Sequence, residues 1–347
     1  MKSLNIDIKK SKYKAMIGTG GIGSGKFFLL NGDHTLGREE SRSGYILDRN
    51  DYCKLHIISH YVKSLLGKDF SVIPIGKVGA DDIGTNLLNE MNEAGLDVKY
   101  VESDKTKSTL FSFCFLYPDN SGGNMTTDNS ASSSVDESTI SNAKKEFVKY
   151  GASGIVLAVP EVPLEAREKL LEYGKQNKLL CVASFTSEEM DIVMKSDVLK
   201  NVDILAINLD EASRAAGIKA EESDSQTIIE SAVKFFQQKN PDMVVSITEG
   251  KSGSWLWNGE TFSHIPALEL DVVNTAGAGD AFVSGLIAGV VAGLSLNEAQ
   301  QLATLTGGGS VTSPHTINKE MDREMLYKIA AASSYKFSNN IYKLLEK

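Results

Sequence analysis

Short runs of β-branched and aromatic residues alternate with amphipathic stretches along most of this chain, and that alternation narrows its fold more than anything else. The spacing predicts strands over 14–18, 70–75, 154–159, 179–184, 203–207 and 243–248. Between them, residues 82–94, 137–150, 164–176 and 226–239 carry apolar side chains at steps of three and four, the period of a helix with one buried face. The strand runs are apolar throughout, as expected of strands covered on both faces. Strand following helix in this way implies the α/β class, with a mostly parallel sheet between two helical layers. One region departs from the rhythm. Residues 108–117 (STLFSFCFLY) alternate polar and apolar before the turn-rich 118–123 (PDNSGG), and 124–127 reads as a return strand. A hairpin with one wet face has no place inside a helix-covered sheet, so it is expected to form a small lid beside it. Residues 129–134 read as a polar connector, and the chain from Lys319 onward as wholly helical.

Composition removes several classes of function. With 347 residues, 41% hydrophobic and 23% charged, the chain can bury a large core. A net charge of −9 gives no gain from counterion release, so nucleic acid is not an expected partner, while a local pocket can still hold an anionic small molecule. Cys53, Cys114 and Cys181 are odd in number and widely spaced, which fits reduced thiols in a cytoplasmic protein. The first residues lack the apolar core of a signal peptide, and the most apolar stretch, 281–296, is shorter than the ~20 residues that cross a bilayer, so no membrane association is expected.

Three motifs suggest chemistry that their surroundings do not support. Residues 18–23 (GTGGIG) fit the dinucleotide pattern GxGxxG, but the following SGKFFLL and Asn31, Gly32 and Asp33 leave no room for the required helix. Residues 20–26 fit GxxxxGK, yet Phe27 stands where a phosphate loop needs a hydroxyl for Mg²⁺. His56 and His60 have the spacing of two zinc ligands on a helix, but Ile57 replaces the general base and no third ligand is in view.

Residues 271–285 (DVVNTAGAGDAFVSG) are the most informative stretch. A strand end runs into small residues, and a helix is predicted to start near Gly277. Backbone amides without bulky side chains, at a helix N-terminus carrying about half a positive charge, suit a phosphoryl group in transit. Asp280 in the first helical turn is placed to take a proton from an attacking hydroxyl. A plain helix start with a dipole-complementing Asp is the alternative reading.

Residues 274–285 (NTAGAGDAFVSG) resemble the C-terminal signature of the PfkB (ribokinase-like) carbohydrate kinase family. Asn208 and Glu211, after the strand 203–207, resemble that family's Asn-x-x-Glu motif, although an N-cap by Asn208 answered by Glu211 explains them equally well. Thr248, Gly250 and Gly253 resemble its Thr-x-Gly-x-x-Gly turn, and 76–84 with 95–98 its earlier glycine elements. The resemblance spans about 14–314. It implies a three-layer α/β/α ribokinase-like domain over 1–347, with a small β lid from about 108–128 and part of 20–50, and often a homodimer through that lid. It also implies Mg·ATP-dependent phosphoryl transfer to a hydroxyl of a sugar-like substrate. In that reading Asp280 is the base, and the backbone of Ala276, Gly277, Ala278 and Gly279 the anion hole. Asn208 and Glu211 would hold Mg²⁺ through water, Thr248, Gly250 and Gly253 would line the nucleotide, and Ser310 and Ser313 would complete the adenine pocket. Asn274 stands where many members have Asp, which places monovalent-cation (K⁺) activation in question. The family's first substrate motif is not legible. In its place stand Arg38, Arg42 and Arg49, able to bind a carboxylate or phosphate, and Asp33 and Asp48, able to accept from hydroxyls. These suggest an anionic sugar or sugar acid, against the alternative of a solvated loop paired within itself. A non-catalytic ligand-binding or regulatory protein on the same fold is the other functional reading.

Overall fold

The computed structural model describes residues 2–119, 122–219 and 222–346, so Asn120 and Ser121 of the expected lid turn lie outside the described residues. In chain order the strands are β1 (Ala15–Thr19), β2 (Gly23–Leu30), β3 (Gly44–Ile46), β4 (Asp51–Tyr52), β5 (Ser71–Gly79), β6 (Tyr100–Asp104) and β7 (Leu110–Leu116). They continue as β8 (Gly122–Thr126), β9 (Gly154–Ala158), β10 (Leu180–Ala183), β11 (Ile204–Asn208), β12 (Val244–Thr248), β13 (Ser254–Trp257) and β14 (Phe262–Ile265). Nine of them form the main sheet in the order β14-β13-β12-β11-β10-β9-β1-β5-β6. It is parallel from β12 to β6, and antiparallel β13 and β14 complete one edge. All six strands predicted from apolar runs belong to this sheet.

The two-residue period of a strand divides the core into two layers. Met16, Ile155, Leu157, Ile204 and Ala206 face one set of helices, chiefly Lys54–Leu66, Ala278–Val291 and Leu296–Val311. Their neighbours Ile17, Val156, Ala158, Leu205 and Ile207 face the other, chiefly Leu164–Gln176, Leu209–Ala216 and Ser225–Lys239. This is the α/β/α arrangement. The three cysteines are unpaired and buried, and among the described residues no helix is long and apolar enough to cross a membrane.

Two helical expectations change. Residues 137–150 form two helices, Glu137–Ser141, started by a capping box between Asp136 and Thr139, and Lys144–Tyr150. The segment after Lys319 is not helical throughout. Arg323–Ala332 ends at Ser333, and Ser338 caps a separate helix, Asn339–Leu345, by accepting from the Ile341 amide.

The region expected to form a lid belongs to a second sheet of five strands, β3-β2-β7-β8 with β4 also on β2. The hairpin of β7 and β8 was legible in the alternation, whereas its central strand β2 was hidden by the glycines of GSGKFFLL. β2 lies parallel to β7 and antiparallel to β3 and β4. From β4 the chain passes through Cys53 directly into the Lys54–Leu66 helix, so the lid base and the first helix of the body are one continuous segment.

Candidate active site

The helix Ala278–Val291 starts where the sequence placed it, with Gly277 at its N-cap in the left-handed region (φ 79°). A side chain at Gly277 would be strained by that angle, and its Cβ would lie 2.9 Å from the Thr316 carbonyl oxygen. The turn before it is pinned by Asn274, whose Oδ1 accepts from the Ala276 amide (3.1 Å) and whose Nδ2 donates to the Pro314 carbonyl (3.0 Å). The Ala278 amide donates to the Thr275 carbonyl (3.2 Å). Two of the four amides expected to face an anion are therefore engaged inside the turn. The Gly277 and Gly279 amides have no acceptor among the described residues, and a Cβ on Gly279 would meet no atom within 4 Å. The helix start is open at Gly279.

Asp280 lies on the same cavity as Gly279, with its side chain 15% exposed. Its Oδ1 is 3.7 Å from Nζ of Lys54, the first residue of the Lys54–Leu66 helix. Burial pushes the Asp280 carboxyl up, the Lys54 ammonium opposes this, and the charge of Asp51 adds to it. Lys54 is held well above the usual ammonium range, chiefly by Asp280, and stays charged.

Two further carboxyls stand at this end of the site, and neither was singled out in the sequence. Glu161 has φ 77°, a costly angle for a residue with a side chain, and its Oε2 accepts from the Lys54 amide (3.0 Å). A Cβ at Gly21 would lie 2.1 Å from that same oxygen, so the glycine there makes space for Glu161. Asp51 on β4 is buried beneath β2, where it accepts hydrogen bonds from the Ser112 hydroxyl and the Cys114 thiol. Gly25 gives it room in the same way. Gly21 and Gly25 thus make space for acidic side chains, whereas Gly18, Gly20 and Gly23, the glycines that mimic a dinucleotide motif, are packed against Leu55, Val159, Leu110 and Cys53, a tertiary effect with no local signal.

Burial pushes the Glu161 carboxyl up to about 7, with Lys54 partly opposing and Asp280 and Asp51 adding to the shift. Between about pH 4.5 and 7 the folded protein then holds a proton that the unfolded chain has released. Stability from this group is present at the acid end and lost as pH rises through about 7. The melting temperature of the ligand-free protein is expected to fall between about pH 5 and 8, and Glu161→Gln to reduce that fall. An identical pH dependence in the variant, measured by thermal scanning, would remove Glu161 as its source.

On the opposite side of the cavity, parallel pairing of β11 and β12 sets Asn208 beside Thr248 at the strand ends. Asn208 caps the Leu209–Ala216 helix: its Oδ1 accepts from the Glu211 amide (2.9 Å), and Glu211 Oε2 accepts from the Asn208 amide (2.7 Å). The capping explanation therefore holds. It is compatible with ligand binding, because Asn208, Glu211 and Thr248 all line the cavity that contains Asp280. Burial pushes the Glu211 carboxyl up to about 7, and the Asn208 amide opposes it. Ser246, also lining the cavity, is buried with no hydrogen-bond partner for its hydroxyl among the described residues, an orphan that a bound polar ligand would satisfy.

Other predicted residues are placed differently. Gly250 and Gly253 both have positive φ in the turn after β12, and Gly253 is required by packing, since its Cβ would lie 2.1 Å from the Ile265 carbonyl oxygen. Ser310 is buried and donates to the Gly307 carbonyl (2.7 Å), while Ser313 accepts from the His315 amide (3.1 Å). Both hydroxyls serve the local backbone. Asp33, Arg38 and Asp48 are exposed on the excursion between β2 and β4, and none lines the cavity with Asp280. Arg42 pairs with Glu40 (2.6 Å) and donates to the His34 carbonyl (2.7 Å). Arg42 is thus paired within its own loop, and the structure does not bring the expected anion-binding set to the cavity with Asp280.

An α/β/α body, a smaller second sheet and a helix N-terminus open at Gly279 beside Asp280 make up the fold and its main cavity. Residues 59–323 match the family described as pfkB family carbohydrate kinase, and the chain belongs to it. It is 24% identical to the 2-dehydro-3-deoxygluconokinase of Bacillus subtilis over 82% of this chain and 91% of that protein. It is 25% identical to the ribokinase of Staphylococcus aureus over 71% of this chain and 75% of the relative. Among solved structures, the ribokinase of Cryptococcus neoformans in complex with ADP superposes with a TM-score of 0.73 at 18% identity, covering 91% of this chain and 98% of that one. Membership of a family of sugar kinases makes the chain an enzyme.

Proposed function

We propose that the chain is one kinase domain over 1–347 that transfers the γ-phosphoryl group of ATP to a hydroxyl of a small sugar-like acceptor. The observation that carries this reading is the meeting of Gly279, Asp280, Glu211 and Thr248 around one cavity. Asp280 takes the acceptor proton as the acceptor oxygen bonds to the γ-phosphorus, and the bond to the β-phosphate oxygen breaks with its electron pair leaving on ADP. The Gly277 and Gly279 amides, at the positive end of the helix, face the charge on the transferring group. The lid covers the acceptor, since water at an open site would compete for the phosphoryl group.

Glu211, a hard carboxylate on the cavity wall beside the unpartnered Ser246 hydroxyl, fits Mg²⁺ held mainly by phosphates and water. When bound, Mg²⁺ neutralises phosphate charge. Asn274 does not fit a K⁺ site, because its neutral side chain ties the Ala276 amide to the Pro314 carbonyl, and no step is assigned to K⁺.

For the acceptor, Asp51 and Glu161 near the base favour hydroxyl groups over negative charge, while the sugar-acid reading rests on the name of the Bacillus subtilis relative. Tyr45 and Ile46 on β3 and Met125 on β8 are exposed apolar residues of the lid, and they support pairing of two copies there. The test is ADP formation from Mg·ATP across neutral sugars, sugar phosphates and aldonic acids. Acceptor-dependent ADP matched one-to-one by a phosphorylated product is expected. ATP binding without turnover of any acceptor would favour the non-catalytic alternative.

A further inference from the structure

We propose that Lys54 binds the γ-phosphoryl group of the nucleotide and stays with it through transfer, and so is a catalytic residue of the reaction read above, on which this inference rests. Among the described residues that line the cavity, Lys54 is the only cationic side chain, whereas Asp280 and Glu211 supply carboxylates. A triphosphate entering there would otherwise meet like charge, in a protein whose net charge is −9.

The placement of Lys54 is built rather than incidental. It opens a 13-residue helix that is buried along most of its length, and its amide is capped by the strained Glu161. Its Nζ stands 3.7 Å from Asp280 Oδ1, beyond a direct hydrogen bond, so its donors remain available to a ligand. Asp280, Glu161 and Glu211 all act to keep it protonated. In the resting site the ammonium balances the Asp280 carboxylate. With nucleotide bound it lies between that carboxylate and the phosphoryl oxygens. Lys54 keeps its proton throughout, while the acceptor proton passes to Asp280 and the electron pair leaves with ADP.

The test compares wild type, Lys54→Met and Lys54→Arg by calorimetric titration with Mg²⁺ and either ADP or the imido analogue of ATP, which needs no acceptor. Lys54→Met should weaken the imido analogue by ~10-fold or more and ADP by less than about twofold, and Lys54→Arg should recover most of the difference. With an acceptor that the wild type phosphorylates, kcat of Lys54→Met should fall ~10²–10³-fold. Methionine keeps the backbone cap and the unbranched stem of the side chain, and thermal scanning checks that each variant is folded. Equal losses for both nucleotides, or none for either, would overturn the assignment of Lys54 while leaving the kinase reading intact. A wild type that binds neither nucleotide would overturn both.

Discussion

Asp280→Asn is expected to lower kcat by ~10²–10⁴-fold, while the Kd for Mg·ATP changes by no more than about threefold. The amide has almost the same shape and keeps the helix start intact, but it cannot take a proton from a hydroxyl. Its effect is therefore confined to the step in which the acceptor oxygen becomes a nucleophile. The substitution also removes the counter-charge of Lys54, which stands 3.7 Å from Asp280 Oδ1. The released ammonium is then free to hold the γ-phosphoryl group, so nucleotide affinity should be retained or slightly increased. Single-turnover quench measurements separate this from slow product release. If the chemical step runs at the wild-type rate, Asp280 is not the base.

Gly279→Val is expected to leave the fold intact and to reduce kcat/KM for ATP by at least ~10²-fold. The free protein has space for the side chain, since no atom lies within 4 Å of an added Cβ and the residue does not require a positive φ. A β-branched residue near a helix start costs only a few tenths of a kcal/mol. The same space is where the phosphoryl oxygens would approach the Gly279 amide, and two methyl groups there hold an anion out of hydrogen-bond reach. Gly277→Val is the contrasting case, in which the φ of 79° and the nearby Thr316 carbonyl predict damage to the fold itself. A Gly279→Val protein with unaltered melting temperature and full activity would place the phosphoryl group elsewhere.

The two sides of the site differ in how far they could be read. The side proposed to hold phosphate comes from contiguous residues: 274–280 form one turn into one helix, and 208–211 form one cap, so local spacing already defines their shape. The capping box also shows why such motifs stay ambiguous, because the bonds that start the helix place Glu211 on the cavity. The acceptor side is assembled from distant pieces. Asp51 lies on the short β4 that runs straight into the first helix, and Glu161 comes from a strained corner after β9, far along the chain. Of the arginines that stood out in 31–50, Arg42 pairs locally with Glu40, and neither it nor Arg38 lines the cavity with Asp280.

The sequence by itself determined the layered α/β body, the hairpin of β7 and β8, the helix start at Gly277 and the family, because each rests on a periodicity or a short contiguous turn. Only the tertiary structure decided which charges face one another across the acceptor end. Burial and ion pairing depend on which strands become neighbours, and Gly21 and Gly25 acquire their purpose only once Glu161 and Asp51 are packed against them.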